Sequence, residues 1–222
     1  MQPEFDNYSD EYNDIMDDCV GVFGQEAEYF QQYKSEYLQR IANGITPAKI
    51  LDFGCGVGNF SNVLAKTFPT AEVHGYDVSS KSIDIARKSP LHNVSFSSNL
   101  GDLDERYDLV VVANVMHHIP PNQRESAIDE IWSRVRTDGQ VIVFEHNPLN
   151  PLTRWVVKHC AFDADAILLK PRETTGYFLR RKASVRRDYI VFFPKMVSWL
   201  KPLEPALMWL PLGAQYAVVA QK

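Results

Sequence analysis

The chain has 222 residues, of which 45% are hydrophobic and 23% charged, a composition that is typical of a globular domain and excludes a disordered chain. Its net charge is −5 and acidic residues dominate the first 150 positions, so nucleic-acid binding through phosphate contacts is disfavoured. No apolar run is long enough for a transmembrane segment. Cys19, Cys55 and Cys160 are odd in number and include no C-x-x-C pair, which favours reduced cysteines and a cytoplasmic location over disulfides or a zinc site.

Strands and helices alternate along the chain. Hydrophobic periodicity and turn residues predict, in order, a helix over 25–43, a strand over 49–53, a helix over 59–68, a strand over 72–76, a helix over 80–88, strands over 94–97 and 108–113, a helix over 122–135, a strand over 140–144, helices over 153–160 and 172–182, a strand over 189–193, an amphipathic segment over 194–210 and a strand over 215–220. Continuous apolar strands between helices predict an α/β fold with a doubly wound, mostly parallel sheet of seven strands. We expect the last two strands to pair antiparallel at one edge.

The first predicted strand runs directly into a glycine-rich turn. Asp52, Gly54, Gly56 and Gly58 form the pattern D-x-G-x-G-x-G, in which glycines allow positive φ angles and close approach of a ligand to the backbone. Asp77 ends the next strand, 23 residues after Gly54. A carboxylate there can accept hydrogen bonds from both hydroxyls of a ribose, and ligands of open α/β sheets bind at this end of the strands. The pattern therefore indicates nucleoside binding.

The spacing of the glycines favours a nucleoside without a pyrophosphate. The dinucleotide pattern G-x-G-x-x-G requires a third glycine at the position that Asn59 occupies. An NAD(P)-dependent sugar or alcohol reductase also predicts a Tyr-x-x-x-Lys pair, and no tyrosine of this chain has lysine four residues later. A non-catalytic nucleoside-binding subunit remains an open alternative.

Three segments carry a resemblance to a known family. Residues 50–58 (ILDFGCGVG), 107–119 (YDLVVVANVMHHI) and 135–140 (VRTDGQ) resemble motifs of class I S-adenosylmethionine-dependent methyltransferases. The resemblance covers about residues 48–146 and implies the Rossmann-like methyltransferase fold, S-adenosylmethionine as methyl donor and S-adenosylhomocysteine as product. The fourth strand ends without the Asn-Pro-Pro-Tyr or Asp-Pro-Pro-Tyr motif of many base-modifying members, which favours a small-molecule acceptor over nucleic acid.

The resemblance also implies a set of cofactor contacts. The glycine turn would cradle the methionine part and the ribose, Asp77 would hold the ribose, Val78 would pack near the adenine and Asn99 would meet the adenine amino group. A lid aromatic would cover the cofactor and Lys34 would meet its carboxylate. The residues expected at the cofactor are Tyr12, Lys34, Asp52, Gly54, Cys55, Gly56, Gly58, Asp77, Val78, Asn99, Asn114 and Met116.

Two polar pairs at predicted strand ends are candidates for catalysis. A hydroxyl or carbon acceptor needs a base that titrates near the working pH, which favours histidine. We expect His117 or His146 to be this base and Glu145 to orient a histidine or bind substrate; His118 is expected to be structural. Alternatively, all four only shape the pocket. Oxygen is the slightly favoured acceptor atom, and no metal ion is expected because adjacent histidines rarely share one.

The resemblance also suggests how the chain is divided. We predict a single domain with an N-terminal helical lid (1–46), a cofactor-binding core (47–146), a cap insertion (147–170), and C-terminal helices with antiparallel edge strands (171–222). The lid, the insertion and the segment 194–210 are expected to select the substrate, and apolar or lipid-linked small molecules are candidates. The apolar side chains of 199–210 are expected to pack in the core; contact with a lipid-like substrate or with a second copy of the chain is the alternative. Monomer and homodimer therefore both remain open.

Overall fold

The computed structural model describes residues 19, 27–42, 46–103, 106–160 and 163–222. Seven strands form one sheet in the order β3-β2-β1-β4-β5-β7-β6, in which β1 to β5 are parallel and β7 is antiparallel to β5 and β6. The strands are β1 Lys49–Phe53, β2 Glu72–Tyr76, β3 Val94–Ser97, β4 Tyr107–Ala113, β5 Val135–His146, β6 Ser184–Ile190 and β7 Gln215–Gln221. The predicted doubly wound α/β fold and the antiparallel edge pair are confirmed.

Helices cover both faces of the sheet because its central strands are apolar on both sides. The helices are α1 Ala27–Ala42, α2 Asn59–Thr67, α3 Ser80–Ala86, α4 Arg124–Arg134, α5 Pro151–His159, α6 Pro171–Arg180 and α7 Glu204–Leu207. Helices α1 and α2 pack on one face with Val111 and Ile142, and α4 and α6 pack on the other with Val110 and Val143. Burial of both faces leaves the strand ends as the place where a ligand can enter.

Helix α1 is joined to the edge strand β6 by a buried polar contact. The Tyr37 hydroxyl donates a hydrogen bond of 2.7 Å to Asp188 Oδ2. Arg186 Nε lies 3.0 Å from the same carboxylate oxygen. The contact fixes α1 across the sheet, which places Lys34 of α1 near the end of β4.

Several boundaries differ from the sequence prediction at the sheet edge. Strand β6 begins at Ser184 instead of Tyr189 and ends at Ile190, because polar residues of an edge strand interrupt the apolar pattern. Strand β5 begins at Val135, and its register with β4 shifts between Tyr107 and Leu109. The segment 194–210 forms a 3₁₀ stretch, Lys195–Leu203, and the short α7, with Met196, Trp199 and Trp209 exposed to solvent.

The expectation that all three cysteines are reduced is wrong for two of them. Cys19 and Cys160 form a disulfide with a Cα–Cα distance of 5.0 Å across a sequence separation of 141 residues. Cys55 is a free, buried thiol. Sequence spacing could not show this pair because only the folded chain brings the two residues together. Disulfides persist in oxidising surroundings, so the cysteines no longer favour a reducing compartment.

None of the described helices is long and apolar enough to cross a bilayer.

Candidate active site

A cavity of about 920 Å³ opens at the carboxyl ends of β1, β2, β4 and β5. Its size lies within the range of small-molecule and cofactor sites. Aromatic and aliphatic side chains form much of the wall, and polar groups from several elements face the same space. The described wall includes Phe30, Lys34, Asp52, Phe53, Gly54, Cys55, Gly56, Phe60, Asp77, Val78, Asn114, His117, His118, His146, Leu152, Val156 and Asp163.

The turn after β1 needs glycine at Gly54. Its φ angle is +80°, and a Cβ placed there would lie 2.4 Å from a methyl group of Val115. The backbone N–H groups of Gly54 and Cys55 donate to the Tyr76 carbonyl, at 2.7 and 2.9 Å. The end of β2 therefore holds the turn in the shape that leaves its backbone open to the cavity.

Asp77 is fixed by the same turn and by the start of α3. The N–H of Gly56 donates to Asp77 Oδ2 at 2.8 Å, and the N–H of Ser79 donates to Oδ1 at 2.9 Å. Each carboxylate oxygen can accept more than one hydrogen bond. The carboxylate is therefore preorganised at the cavity wall with capacity for ligand hydroxyls.

A buried acid and a buried amine flank the turn. Asp52 accepts a hydrogen bond of 2.6 Å from the Ser61 hydroxyl, and burial raises its pKa to about 6 despite Ser61 and Lys34. The Lys34 ammonium lies 3.3 Å from Asn114 Oδ1, and burial lowers its pKa to about 8 while Glu145 and Asp52 oppose the shift. These groups supply one anionic and one cationic contact at the same end of the cavity.

Asn114 has an unusual backbone conformation at the end of β4. Its φ angle is 59°, in the left-handed region that residues other than glycine seldom occupy. The conformation points its amide into the site, where Oδ1 meets Lys34 and Nδ2 lies 3.5 Å from His146 Nε2. Such strain is concentrated at functional sites in proteins.

Glu145 binds the Nδ1 side of the His117 ring. Its Oε2 lies 2.6 Å from His117 Nδ1, and its Oε1 accepts the backbone N–H of Met116 at 2.8 Å. Glu145, Met116 and His117 are almost completely buried. Burial lowers the pKa of His117, but Glu145 and Asp163 outweigh burial and raise it to about 9.

Asp163 faces three histidines. Its Oδ1 lies 3.3 Å from His117 Nε2 and 3.5 Å from His118 Nε2, and its Oδ2 lies 3.8 Å from His146 Nε2. Burial and the neighbouring His117 lower the pKa of His118 to about 4. Burial also lowers the pKa of His146 to about 4, although Asp163 opposes the shift. The cavity therefore contains a compact cluster of imidazoles around one carboxylate.

Most of the predicted site residues converge on this cavity. Gly58 lies behind the turn as the N-cap residue of α2, with a φ angle of 83°. Asn99 is exposed, accepts the N–H of Gly101 in a 3₁₀ turn and is not among the described residues of the cavity wall. Tyr12 lies outside the described residues. Their roles toward the cofactor stay predictions, as do those of the residues in the wall.

Asp163 was not singled out from the sequence, and the structure places it beside three histidines of the cavity. Asp163 follows Cys160 in the insertion, where no periodic pattern or motif signals a site residue.

Comparison with known proteins agrees with the geometry. Residues 26–181 match a family model described as "Methyltransferase domain". The chain is 30% identical over 113 residues to the ubiquinone biosynthesis O-methyltransferase of Shewanella sp. (strain ANA-3), a match that covers 47% of this chain and 46% of that protein. It is 25% identical over 149 residues to the demethylmenaquinone methyltransferase of Thermotoga maritima, covering 66% and 61%. The chain thus matches about half of the length of such curated relatives.

Solved structures share the fold at low sequence identity. A SAM-dependent methyltransferase from Archaeoglobus fulgidus superposes with a TM-score of 0.67 at 15% identity, covering 91% of this chain and 97% of that one. The plantazolicin methyltransferase BpumL, solved in complex with SAH, gives a TM-score of 0.64 at 15% identity, covering 97% and 89%.

The predictions of a class I fold, of an S-adenosylmethionine-dependent enzyme and of this cofactor agree with the comparisons. With the matched model spanning more than half of the chain, this protein belongs to the family of methyltransferase domains.

Proposed function

We propose that the chain transfers the methyl group of S-adenosylmethionine to an oxygen atom of a small, partly apolar acceptor. The main support for this proposal is that the glycine turn, Asp77 and the imidazole of His146 line the same cavity. The turn and Asp77 suit a nucleoside, and Lys34 suits the carboxylate of its amino-acid part. His146 then lies on the acceptor side of the same space.

The proposed reaction is an in-line displacement at the methyl carbon. The acceptor O–H gives its proton to His146 Nε2, and the oxygen forms a bond to the methyl carbon. The carbon–sulfur bond breaks at the same time, and sulfur keeps the electron pair, which converts the sulfonium into the thioether of S-adenosylhomocysteine. Alignment of the two reactants in one cavity can supply roughly 7–11 kcal/mol of the barrier reduction.

His146 suits the base role better than His117. The Nδ1 atom of His117 is engaged by Glu145, and its Nε2 faces Asp163. His146 lines the cavity with its Nε2 beside the amide of Asn114. His146 lies farther from Asp163, at 3.8 Å, and burial lowers its pKa to about 4, so the imidazole is neutral at pH 7 and can take up a proton without breaking a buried ion pair.

The wall of the cavity supports an acceptor with an apolar part. Phe30, Phe60, Leu152 and Val156 contribute to this wall around the polar groups. The relatives named above are a ubiquinone biosynthesis O-methyltransferase and a demethylmenaquinone methyltransferase. We therefore propose phenols or hydroquinones with an apolar substituent as the first acceptors to test.

The test measures transfer of an isotope-labelled methyl group from S-adenosylmethionine to a panel of such phenols and hydroquinones. We expect O-methylated products and a kcat that falls about 10²- to 10⁴-fold in His146→Ala, the usual contribution of a general base. The affinity for S-adenosylhomocysteine, measured by calorimetry, should stay unchanged in this variant.

His159→Ala is the matched control. His159 is exposed, and its Nδ1 donates a hydrogen bond to the Trp155 carbonyl within α5. The control should keep the wild-type kcat. Methylation at carbon or nitrogen only, or an equal kcat in His146→Ala and wild type, would contradict the proposal.

A further inference from the structure

Three potential ligand atoms of the histidine cluster lie close enough together to share one ion. One ring nitrogen each of His117 and His118 and a carboxylate oxygen of Asp163 all lie within 4.8 Å of one another. Oδ1 of Asp163 is 3.3 Å from the first nitrogen and 3.5 Å from the second. A tetrahedral zinc ion with bonds of about 2.0–2.1 Å separates its ligand atoms by about 3.3–3.4 Å. Two of the three separations already fit this geometry.

The nitrogen of His117 at the centre of the cluster lacks a hydrogen-bond partner. His117 is 1% exposed, and among the described residues no group meets hydrogen-bond geometry with its Nε2. Asp163 Oδ1 lies 3.3 Å from this nitrogen without meeting that geometry. A buried polar atom without a partner is costly, and an unseen ion is one of the explanations that it calls for.

Glu145 prepares His117 for this role. When a metal ion displaces the proton on Nε2, the remaining Nδ1–H donates a hydrogen bond of 2.6 Å to Glu145 Oε2, and the lone pair of Nε2 is available to the ion. Glu145 is itself fixed by the backbone N–H of Met116. Metal-bound histidines commonly have such a carboxylate on the second ring nitrogen, where it sets the tautomer and strengthens the ligand.

We propose that His117 Nε2, His118 Nε2 and the Asp163 carboxylate bind one divalent transition-metal ion of the Zn²⁺ type. Two imidazoles and one carboxylate suit Zn²⁺ or Co²⁺, whereas Mg²⁺ and Ca²⁺ prefer ligand sets made of oxygen atoms. All three residues line the cavity, so a fourth position is open to it. Three protein ligands with one open position are typical of a catalytic site and not of a structural one.

The sequence favoured the opposite conclusion, because the adjacent histidines alone offer no ligand set and Asp163 lies 45 residues beyond His118. The open position gives the ion a place to hold the acceptor oxygen in the same cavity that His146 lines. That role depends on the proposed function, but binding of the ion does not.

The experiment titrates Co²⁺ into untagged, full-length protein that has been stripped with a chelator, and it follows the visible d–d absorption of the bound ion. A second measurement gives the Zn²⁺ content per chain by mass spectrometry. We expect one ion per chain, no stoichiometric binding in Asp163→Ala, and a dissociation constant about 10- to 100-fold higher in Glu145→Gln.

His118→Gln provides a second ligand variant at a less buried position, and His92→Ala, an exposed histidine, should bind Co²⁺ like the wild type. Thermal stabilisation by S-adenosylhomocysteine in each variant shows that the chain is folded and tests the cofactor site separately. An absence of d–d bands in the wild type would overturn the proposal, leaving a protonated His117 between Glu145 and Asp163. Equal binding in wild type and Asp163→Ala would also overturn it.

Discussion

Asp77 is the side chain on which recognition of the cofactor depends most directly. Its two oxygens accept the N–H groups of Gly56 and Ser79, which orients the carboxylate before any ligand arrives. Charge-assisted hydrogen bonds contribute about 1.5–3 kcal/mol. Asp77→Ala should therefore raise the dissociation constant for S-adenosylhomocysteine about 10- to 100-fold in calorimetry.

Asp84→Ala is the control for this substitution. Asp84 is an exposed acid of α3 that pairs with Arg87. An unchanged affinity is expected there, and an equal loss in both variants would assign the effect to the general charge of the chain.

Lys34 gives the affinity a dependence on pH. Burial lowers its pKa to about 8, so the charged ammonium that would hold the cofactor carboxylate is present below this pH and is lost above it. As pH rises from 7 to 9, the dissociation constant should increase by up to about 10-fold, following the charged fraction of Lys34.

The matched variant is Lys34→Gln, in which titration of the cofactor's own amino group remains. Its dissociation constant should change less over the same pH range than that of the wild type. Parallel pH curves for the two proteins would show that Lys34 does not contact the carboxylate.

Residues within short motifs were the predictable ones. The positions of Asp52, the glycines and Asp77 follow from one strand–turn–helix and one strand end. Asp163 and the pairing of Cys19 with Cys160 depend on contacts between segments distant in sequence. Local patterns carry no information about such contacts.

At the scale of elements, the docking of α1 on the sheet edge depends on a polar contact as well as on burial. Tyr37→Phe removes the hydroxyl that donates to Asp188 while keeping the ring against Phe144. A buried carboxylate that loses a donor costs about 1–3 kcal/mol. We predict this loss in the free energy of unfolding, measured in urea.

Tyr177→Phe is the comparison, because its hydroxyl meets Glu173, a carboxylate that remains open to water. We expect a smaller loss in this variant. Equal losses of unfolding free energy in the two variants would show that the hydrogen bond from Tyr37 to Asp188 stabilises the docking of α1 no more than a partly exposed hydrogen bond does.

The elements of the parallel core were predictable because each buried strand is a short apolar run between turn residues. Strand β6 was misplaced because its first half, Ser184–Arg187, is mostly polar and exposed and therefore lacks the apolar run that marks the buried strands. Strand β5 was predicted too short because the turn signal Asp138-Gly139 lies inside the observed strand, where Asp138 takes a φ angle of 65°.

At the scale of the whole molecule, the disulfide closes most of the chain into one covalent loop. A cross-link between residues 141 apart restricts the unfolded chain and typically contributes about 2–4 kcal/mol. Reductant should therefore lower the unfolding midpoint by about 4–16 °C, at roughly 2–4 °C per kcal/mol. The non-reduced protein should contain one titratable thiol, that of Cys55.

Cys160→Ser should unfold at a midpoint that reductant does not change, whereas Cys55→Ser should respond to reductant like the wild type. Three free thiols in the non-reduced, unfolded protein would contradict the pairing.

Thermal unfolding with S-adenosylmethionine, S-adenosylhomocysteine or NADH distinguishes an adenosyl cofactor from a dinucleotide. A ligand at 100 times its dissociation constant adds about 2.7 kcal/mol of stability. For a chain of this size the account predicts a rise of roughly 5–11 °C in the midpoint with either adenosyl ligand and none with NADH. A rise with NADH alone would contradict the assignment of the cofactor.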